Sequence, residues 1–504
     1  MDRIITIKNK KIEAAREVSN VYEGREVFAK MSSNAREVKS EVSIMICNYN
    51  RLEKSKRCIE SVLKYTQDVD FELILIDNGS EPEIMEYLKS VEHPKKTIIR
   101  LEENTGAAFP YENIAMSMLS EYVVLLADDI IVTKNWLSNM LKVFESDEKI
   151  GLVNAVSSNT SNLQQVDLGY KTYEEMQEKA AEFNVSNPSK WQERLRIITL
   201  GTAYRKECLY AIGWPNGDIG FAHDFADDDI AFRVRRMGYK VVLAGDTWIC
   251  HDHQIREKDP VALHKSLEQG RADFQQKYQG VDAWDDVNNY IFNSLGSRIK
   301  KMETDYPKIL GIDVKCGTPI LDIKNTIRKY GIFDAELSAF TQDEKYVVDL
   351  KTICNGIVAC DREEFISRKL LYEYYDYIMI DRPINAYHEP MSMLMDAFML
   401  LNRGGQLLFS LKNTNNIMTL LNVLGATTKT EEEYYYNYTI DALARDLSSM
   451  NIKFEILGNA TIRDINQNTL NSAKKVLETY CEPRMLGEMN ARLMADRYWI
   501  SIEK

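Results

Sequence analysis

A hydrophobic run that ends in two acids carries the clearest chemical signal in this sequence. Residues 122–127 are apolar, and Asp128 and Asp129 follow them directly. Such a run predicts a strand buried on both faces, and carboxylates at its carboxyl end lie where open α/β sheets bind ligands. Buried acids need a partner, and carboxylate oxygens favour Mg²⁺ or Mn²⁺, which often accompany phosphates. The pair therefore predicts a metal-assisted phosphate site, with helix-capping acids as the alternative.

The elements that would position these acids alternate between strand and helix. Apolar runs at residues 42–47 and 71–76 each end in a polar turn, the first at Asn48 and the second at Asp77. Apolar residues at helical spacing follow the first turn, and a further helix is expected to open at Asn104. This alternation predicts a mostly parallel sheet with one ligand crevice at the carboxyl ends of its strands.

Residues 41–255 resemble a family 2 glycosyltransferase with the GT-A fold, a Rossmann-like α/β domain that binds nucleotide sugars. The order and spacing of several blocks carry the resemblance, because any one block alone would be weak. The blocks are Cys47-Asn-Tyr-Asn-Arg51, Ile76-Asp-Asn-Gly-Ser80, Asn104-Thr-Gly106, Leu125-Leu-Ala-Asp-Asp129, and Asp227-Asp-Asp-Ile-Ala-Phe-Arg233 with Arg236-Met-Gly-Tyr-Lys240.

The resemblance implies a nucleotide-sugar donor. Tyr49 would stack on the base, and Asp77 would accept a hydrogen bond from the uracil N–H. This contact favours a UDP-sugar and leaves a dTDP-sugar open, and the sugar is left open among N-acetylglucosamine, glucose and galactose. The implied donor-binding residues are Asn48, Tyr49, Asn50, Asp77, Asn104, Gly106 and Asp128.

The resemblance also implies a divalent ion, Mn²⁺ or Mg²⁺, which would offset the charge of the departing nucleoside diphosphate. Asp129 would bind the ion, and Asp128 would reach the ribose or a metal-bound water. Ala127 stands where the family has an acid or asparagine, so the ribose contact departs from the family pattern. A histidine is a common further ligand in this fold. His251 is favoured over His253, because side chains two apart on a strand face opposite ways.

At the acceptor side, Asp227 aligns with the general base of the family, which takes the proton of the acceptor hydroxyl during an in-line, inverting attack. Ala226 replaces the usual glutamate, so one acceptor contact is changed. Helix capping is the alternative role for Asp227. Gly201 and Thr202 would lie near the acceptor. Trp214 could stack on a sugar face there, although a core position is more typical of tryptophan.

Residues 307–504 resemble a class I methyltransferase, a second Rossmann-like α/β domain. The resemblance rests on a strand at 308–314, a turn at 316–318, a strand at 375–381, and a helix and a strand joined by a Gly404-Gly405 turn. The rest of this segment is expected to be helical. The family has glycine on both sides of the first turn, so that the backbone approaches S-adenosylmethionine, but Lys315 and Pro319 stand there. We therefore expect a domain that has kept the fold and lost cofactor binding and methyl transfer.

Composition sets the broad class of the protein. The 504 residues predict two or more domains, and the formal net charge of −13 argues against non-specific nucleic-acid binding. No apolar stretch has the length of a membrane span, no signal peptide is recognisable, and the 8 cysteines lack metal-type spacing. These features predict a cytoplasmic enzyme, with association at the inner face of the membrane and homo-oligomerisation left open. Residues 1–40 are expected to form a helical extension and residues 256–306 a helical connector.

The favoured function is an inverting, metal-dependent glycosyltransferase that moves a hexose or N-acetylhexosamine to a hydroxyl group. The acceptor would be a bacterial surface glycan, a lipid-linked glycan or a protein such as flagellin. A bifunctional enzyme that also methylates the sugar with S-adenosylmethionine is a second hypothesis, against which residues 315–319 argue. An inactive sugar-binding scaffold is a third, against which Asp77, Asp129 and Asp227 argue.

Overall fold

The computed structural model describes residues 3–7, 40–104, 120–212, 224–252, 260–291, 295–423, 434–462, 465–480 and 482–504. Backbone proximity divides the chain into two compact units, Met1–Asn288 and Asn289–Lys504. Each unit is built on its own β-sheet with associated helices, so the predicted α/β class is confirmed.

Strands and helices alternate through the first unit. The strands are β1 Arg3–Ile7, β2 Val42–Asn48, β3 Phe71–Asn78, β4 Lys96–Leu101, β5 Tyr122–Ala127, β6 Ile130–Ile131, β7 Ile150–Ser157, β8 Trp191–Glu193, β9 Thr202–Arg205 and β10 Lys240–His251. The helices are α1 Leu52–Tyr65, α2 Pro82–Ser90, α3 Trp136–Ser146, α4 Tyr173–Phe183, α5 Lys206–Ile212, α6 Ala226–Arg236 and α7 Pro260–Lys277.

The order of strands in the first sheet creates a crevice. The order is β1-β4-β3-β2-β5-β9-β7-β10-β6, with β8 beside β10. Strand β2 pairs in parallel with β3 on one side and with β5 on the other. The chain therefore runs from β2 towards β4 in one direction and resumes at β5 on the opposite side of β2. Such a reversal opens a ligand crevice at the carboxyl ends of β2 and β5.

A two-sided apolar core holds this sheet in place. Strand β3 is buried along its whole length, as its continuous apolar run predicts. Helix α1 covers one face with Cys58, Ile59 and Val62, which are fully buried and recur at helical spacing. Each fully buried aliphatic side chain contributes about 1.5–3 kcal/mol. The strand ends are therefore fixed positions from which polar side chains can act.

The turn after β3 depends on Gly79, whose φ is +70°. A Cβ atom added there would lie 2.5 Å from the backbone nitrogen of Asn104 and 2.6 Å from the carbonyl carbon of Glu103. Gly169 has a similar φ of +64° with no atom within 4 Å of its added Cβ position. We expect Gly169→Ala to cost about 1–2 kcal/mol for the left-handed backbone alone. Gly79→Ala should cost about 2 kcal/mol more, because backbone atoms must move.

Urea unfolding of both glycine variants, followed by circular dichroism, measures this difference. Equal destabilisation by the two variants would show that the close approach of the 103–104 backbone to Gly79 adds nothing to the loss of stability in Gly79→Ala.

The N-terminal segment differs from the prediction. Arg3–Ile7 is a strand that pairs in parallel with β4, with Ile5 opposite Ile99, where the sequence predicts a helical extension. The short run is rich in β-branched residues, which favour a strand once an open sheet edge is present. Residues 8–39 lie outside the described part of the chain.

The second unit contains a second, mainly parallel sheet. Its strands are β11 Lys308–Ile312, β12 Glu336–Thr341, β13 Val358–Cys360, β14 Tyr375–Ile380, β15 Leu401–Lys412, β16 Phe454–Thr461 and β17 Ala495–Glu503. Its helices are α8 Thr318–Arg328, α9 Val347–Ile353, α10 Ile366–Lys369, α11 Pro390–Leu400, α12 Ile417–Val423, α13 Ile440–Ser449, α14 Gln467–Tyr480 and α15 Leu486–Met494.

The second sheet is also doubly wound, with the order β13-β12-β11-β14-β15-β17-β16. Strand β11 pairs in parallel with β12 and β14 on its two sides, so this sheet has its own reversal between β11 and β14. Strand β17 runs antiparallel to both β15 and β16. The Rossmann-like architecture predicted for residues 307–504 is confirmed.

Two details of the second unit correct the prediction. The C-terminal part is not wholly helical, because β16 and β17 complete the sheet. Helix α11 ends at Leu400 and β15 begins at Leu401, so Gly404 and Gly405 lie within the strand and not between helix and strand. The predicted connector, residues 256–306, contributes α7 to the first unit, whose last residue is Asn288.

Candidate active site

The reversal in the first sheet collects the predicted donor-binding residues at one edge. Asn48 ends β2 opposite Asp77 of β3, and Cys47 of β2 lies opposite Ala127 of β5. Asp128 follows β5 directly. The polar strand ends therefore converge from three neighbouring strands, as the alternation in the sequence predicts.

The residues after β2 divide into supporting and exposed positions. Asn48 is fully buried, and its Nδ2 donates to the carbonyl oxygens of Ile46 at 3.0 Å and Ile76 at 3.1 Å. Asn50 has a φ of +51°, and its Oδ1 accepts a hydrogen bond from the backbone N–H of Glu81 at 2.8 Å. Tyr49 is 42% exposed. Asn48 and Asn50 thus shape the turn, and Tyr49 has the exposed ring that stacking on a base requires.

Asp77 is held inside the turn that follows β3. Its Oδ1 accepts a hydrogen bond from the backbone N–H of Ser80 at 2.9 Å, and Oδ2 lies 3.4 Å from Nη1 of Arg100. Oδ2 accepts no hydrogen bond within the described residues. The carboxylate has no solvent exposure, so contact with a base requires the atoms that cover it to move.

The wall predicted near the ribose and diphosphate is described only in part. Asn104 is half-buried, and its backbone packs against Gly79 at the end of β3. Gly106, and the helix expected to follow Asn104, lie in residues 105–119, outside the described part of the chain.

The acid pair is buried and bridged by an arginine. Asp128 is 2% exposed and Asp129 is 7% exposed. Nε of Arg51 donates to Asp128 Oδ2 at 3.2 Å, its Nη2 donates to Asp128 Oδ1, and its Nη1 donates to Asp129 Oδ2 at 3.0 Å. Burial raises the pKa of Asp128 above its ordinary value, and the Arg51 guanidinium opposes that increase. One guanidinium therefore offsets part of the negative charge of the pair.

His251 lies beside this pair in the orientation of a metal ligand. Its Nδ1 is 2.9 Å from the carbonyl oxygen of Asn159. Because a carbonyl oxygen can only accept, Nδ1 of the neutral ring carries the proton and Nε2 is an acceptor. Nε2 lies 3.9 Å from Asp129 Oδ1, which is too long for a hydrogen bond. Two ligands that each lie about 2.1 Å from one ion can span this separation.

The residues present therefore fit a divalent ion that takes its other ligands from phosphate and water. Within the described ranges, no group of three or more Asp, Glu, His or Cys residues is arranged to hold an ion. Asp129 and His251 are the fitting pair, and an ion bound to Asp129 would compete with Arg51. His253 lies outside the described residues, so the structure does not compare the two histidines.

The three consecutive acids at the start of α6 have different partners. Asp229 is buried between Arg233 and Lys277, each 2.7 Å away, and accepts from the Tyr278 hydroxyl at 2.6 Å. Burial acts to raise the pKa of Asp229, but Arg233 and Lys277 hold it below its ordinary value. Asp229 therefore links α6 to Lys277 at the end of α7 and to Tyr278, the residue after that helix.

Asp228 also forms an ion pair, with Arg196. It is 3% exposed and pairs with Nε of Arg196. Burial raises the pKa of Asp228 to about 6, although Arg196 lowers it. The N-cap residue of α6 is Phe225, which makes no side-chain capping bond, and the three acids lie in the first turn of the helix.

Asp227 alone among the three acids makes no ion pair within the described residues. It is half-buried, and its Oδ1 accepts hydrogen bonds from the hydroxyl of Thr199 and from the Thr199 backbone N–H at 3.2 Å. Burial raises the pKa of Asp227 above its ordinary value, and the hydrogen bonds from Thr199 act in the opposite direction. Arg196 acts on Asp227 only through its charge and without a direct ion pair. An acid that is partly exposed and not bound to a cation has the properties of a general base.

The predicted acceptor-side residues support the site from within the sheet. Thr202 is 1% exposed and its hydroxyl donates to Asn154 Oδ1 at 2.7 Å, so it fixes β9 and does not present its side chain to a ligand. Gly201 is buried, with an added Cβ position 2.6 Å from Cδ1 of Ile249. Trp214 lies in residues 213–223, outside the described part of the chain.

Sequence reasoning did not assign three residues that the structure brings into the site: Arg51, Arg196 and Thr199. Arg51 ends the first block of the family resemblance, Cys47–Arg51, so its position beside the strand ends could have been noted from the sequence. Arg196 and Thr199 lie in the irregular stretch before β9 and contact acids 32 and 28 positions further along the chain. No local pattern predicts such contacts.

Comparison with known proteins agrees with this arrangement. Residues 43–197 match the family described as Glycosyl transferase family 2, so the predicted resemblance is confirmed for that segment. An uncharacterised glycosyltransferase of Nostoc sp. is 24% identical over 173 residues, which are 34% of this chain and 52% of the relative. One of Rickettsia bellii is 30% identical over 129 residues, which are 25% of this chain and 18% of the relative. The chain thus spans about half or less of the length of these relatives.

Solved structures resemble the chain at low similarity. A mannosyltransferase from Pyrobaculum calidifontis, in complex with GDP-Man and Mn²⁺, has a TM-score of 0.35 and 16% identity, covering 51% of this chain and 72% of that chain. A SAM-dependent methyltransferase from Archaeoglobus fulgidus has a TM-score of 0.28 and 16% identity, covering 46% of this chain and 98% of that chain.

Proposed function

We propose that the first unit, which contains the segment matched to family 2 glycosyltransferases, transfers a sugar from a UDP-sugar to an acceptor hydroxyl with inversion. The observation that carries the proposal is the coincidence of this family match with polar residues at the strand reversal. At these strand ends Tyr49 and Asp77 would serve the base, and Asp128 and Asp129 would serve the ribose and diphosphate. Asp227, at the start of α6, would serve the acceptor.

Asp227 is the proposed general base. Both hydrogen bonds from Thr199 go to Oδ1, so among the described residues Oδ2 remains to accept the proton of an acceptor hydroxyl. The raised pKa makes the carboxylate a stronger base than an ordinary aspartate. Inversion follows from a single displacement by that hydroxyl.

Asp129 and His251 would hold the divalent ion, which supplies positive charge to the departing nucleoside diphosphate. Arg51 is within reach of the same carboxylates through its contacts with Asp128 and Asp129. We propose that Arg51 keeps the acids charged and in place until the donor brings its phosphates.

The base contact can be tested by nucleotide titration. Uracil and thymine present an N–H to Asp77, whereas cytosine presents a bare ring nitrogen that repels a carboxylate. Calorimetry with Mn²⁺ and the full-length protein should therefore show UDP and dTDP binding at least about tenfold more tightly than CDP. Equal affinity for UDP and CDP would contradict the contact.

Asp77→Asn supplies the matched variant. Its amide oxygen can still accept from Ser80, and its amide nitrogen can donate to cytosine. We therefore expect the preference for UDP over CDP to shrink or reverse. If Asp77→Asn leaves the ratio of the two affinities unchanged, the base lies elsewhere.

The hydrogen bond from Thr199 to Asp227 should set the acid limb of the pH profile. The bond stabilises the ionised carboxylate, so its removal in Thr199→Val raises the pKa of Asp227 further. A hydrogen bond to a charged group is worth about 1.5–3 kcal/mol, or about one to two pKa units. We expect the acid limb of kcat/KM to move to higher pH by up to that amount.

Thr199→Ser keeps the hydroxyl, so the acid limb of its kcat/KM profile should stay at the wild-type pH. The measurement is kcat/KM from pH 5 to 9 for the three proteins. Superimposed profiles for the valine variant and the wild type would contradict the assignment of Asp227 as the titrating base.

The proposed acceptor is a bacterial surface glycan, a lipid-linked glycan or a protein such as flagellin, and the proposed location is the cytoplasm or the inner face of the membrane. Within the described helices, none is long and apolar enough to cross a membrane. Labelling of lysates from strains that each lack one surface polymer tests the glycan acceptor. Undiminished labelling in every strain would contradict it.

A further inference from the structure

The second unit contains a cavity that the proposed glycosyl transfer does not use. Its volume is about 560 Å³, within the range of about 300–1,000 Å³ found for small-molecule sites. It lies at the carboxyl ends of three strands. Asp313 and Lys315 follow β11, Gln342 follows β12, and Asp381 follows β14. This is the reversal point of the second sheet, the position at which open α/β sheets bind ligands.

The polar wall of the cavity is fixed by internal hydrogen bonds. Asp313 accepts three hydrogen bonds. Two come from Gln342, from its backbone N–H at 2.9 Å and from its side-chain Nε2 at 3.0 Å, and the third comes from the Tyr387 hydroxyl at 2.7 Å. Asp381 accepts from Nδ2 of Asn289 at 2.7 Å. Side chains held in this way keep their direction without a ligand, which lowers the entropic cost of binding.

The formal charges of the wall balance. Three acids line the cavity with three cations: Asp313, Asp343 and Asp381 with Lys315, Arg382 and Arg497. A polyanion such as a nucleoside diphosphate would meet as many carboxylates as cations. Equal numbers of both signs favour a ligand without net charge that both donates and accepts hydrogen bonds.

Aromatic rings complete the lining. Tyr290, Tyr346 and Trp499 lie in the wall. Trp499 and Arg497 are on the same side of β17, because the intervening Tyr498 is 8% exposed and packs into the core. The Arg497 guanidinium is 5.9 Å from the centre of the Trp499 ring. The wall therefore combines apolar ring faces with planar polar groups.

We infer that this cavity binds a carbohydrate. A sugar ring is uncharged, has an apolar face that packs on an aromatic ring, and carries adjacent hydroxyls that bind carboxylates and guanidinium groups in pairs. The turn at the mouth argues against S-adenosylmethionine. Lys315 lines the cavity with a φ of +53°, so a long side chain stands where a glycine would leave the backbone open to the cofactor.

The site holds the glycan that the first unit extends, and this assignment of the glycan as acceptor or product rests on the proposed function. Carbohydrate binding itself does not. A binding assay without a donor therefore separates the two ideas: transfer can fail while glycan binding stands, and glycan binding can fail while transfer stands.

The test uses the full-length protein on a printed array of neutral and acidic glycans. We expect binding to neutral glycans, and a loss of at least tenfold in apparent affinity for Trp499→Ala. Arg497→Gln, which keeps the packing of β17, should also weaken binding at least tenfold. Tyr372→Ala is the control, because Tyr372 is 56% exposed and is not part of the cavity wall.

Three results would overturn the inference. They are the absence of binding to any printed glycan, binding that Arg497→Gln and a folded Trp499→Ala leave unchanged, and saturable micromolar binding of S-adenosylhomocysteine in calorimetry. Circular dichroism identifies a misfolded Trp499→Ala, in which case Arg497→Gln decides the outcome.

Discussion

Asp227→Asn should abolish sugar transfer and leave donor binding nearly intact. The substitution keeps the shape of the side chain and its hydrogen bonds from Thr199 but removes the group that takes the proton. General bases contribute about 10²–10⁴-fold to the rate, so kcat should fall by at least about 100-fold. The affinity for UDP with Mn²⁺ should change less than about threefold.

Asp68→Asn is the matched control, because Asp68 is exposed on the same unit and lies on the loop after α1. It should show wild-type turnover. Near-normal turnover of Asp227→Asn would remove Asp227 as the base. A parallel loss of donor affinity would instead indicate that Asp227 supports the structure of the donor site.

Asp129→Ala should remove most metal-dependent donor binding. Residues that only support a metal ligand cost about 10–100-fold in metal affinity when they are changed, so loss of a direct ligand should cost about 100-fold or more. Arg51 remains bound to Asp128 in this variant, which preserves the end of β5. Paramagnetic resonance of Mn²⁺ in the presence of UDP measures the affinity without requiring turnover.

His251→Ala should weaken Mn²⁺ binding by about tenfold or more, because it removes the second proposed ligand. His264→Ala is the histidine control, since His264 is 74% exposed on α7. Unchanged Mn²⁺ affinity in Asp129→Ala would place the ion elsewhere. Loss only in Asp129→Ala, with His251→Ala at the wild-type level, would leave the carboxylate as ligand and exclude the histidine.

The sheet edge that carries the site could be predicted because its signals are local. Each of β2, β3 and β5 is a short apolar run followed directly by polar residues, and the rule that parallel strands share an edge then brings Asn48, Asp77 and Asp128 together. Helix spacing in α1 was equally local. These elements form where the sequence places them because burial and periodicity agree.

The contacts that adjust the site could not be predicted, because they join residues far apart in the chain. The Arg51 bridge to Asp128 and Asp129 spans more than seventy positions, and whether Asp227, Asp228 or Asp229 lacks a cation depends on Arg196 and Lys277. A sequence shows three identical acids, and only packing decides which of them stays chemically available.

Strands at the edges of the sheets were missed for a related reason. Phe454–Thr461 is largely exposed and lacks the apolar run or the strict alternation that marks a strand, yet it pairs with β17 from end to end with two shifts of register. Arg3–Ile7 pairs with β4 across about ninety positions. The domain boundaries at 41–255, 256–306 and 307–504 remain predictions.

The most direct measurement of the central claim is a donor-hydrolysis screen. Purified full-length protein is incubated with Mn²⁺ or Mg²⁺ and a panel of nucleotide sugars, and released nucleoside diphosphate is quantified with and without EDTA. The proposed function predicts slow, EDTA-sensitive release from a UDP-sugar, and no such release from the CDP-sugars of the panel. Absence of release from every donor, together with no binding of UDP in the presence of Mn²⁺, would contradict the assignment as a nucleotide-sugar-dependent transferase.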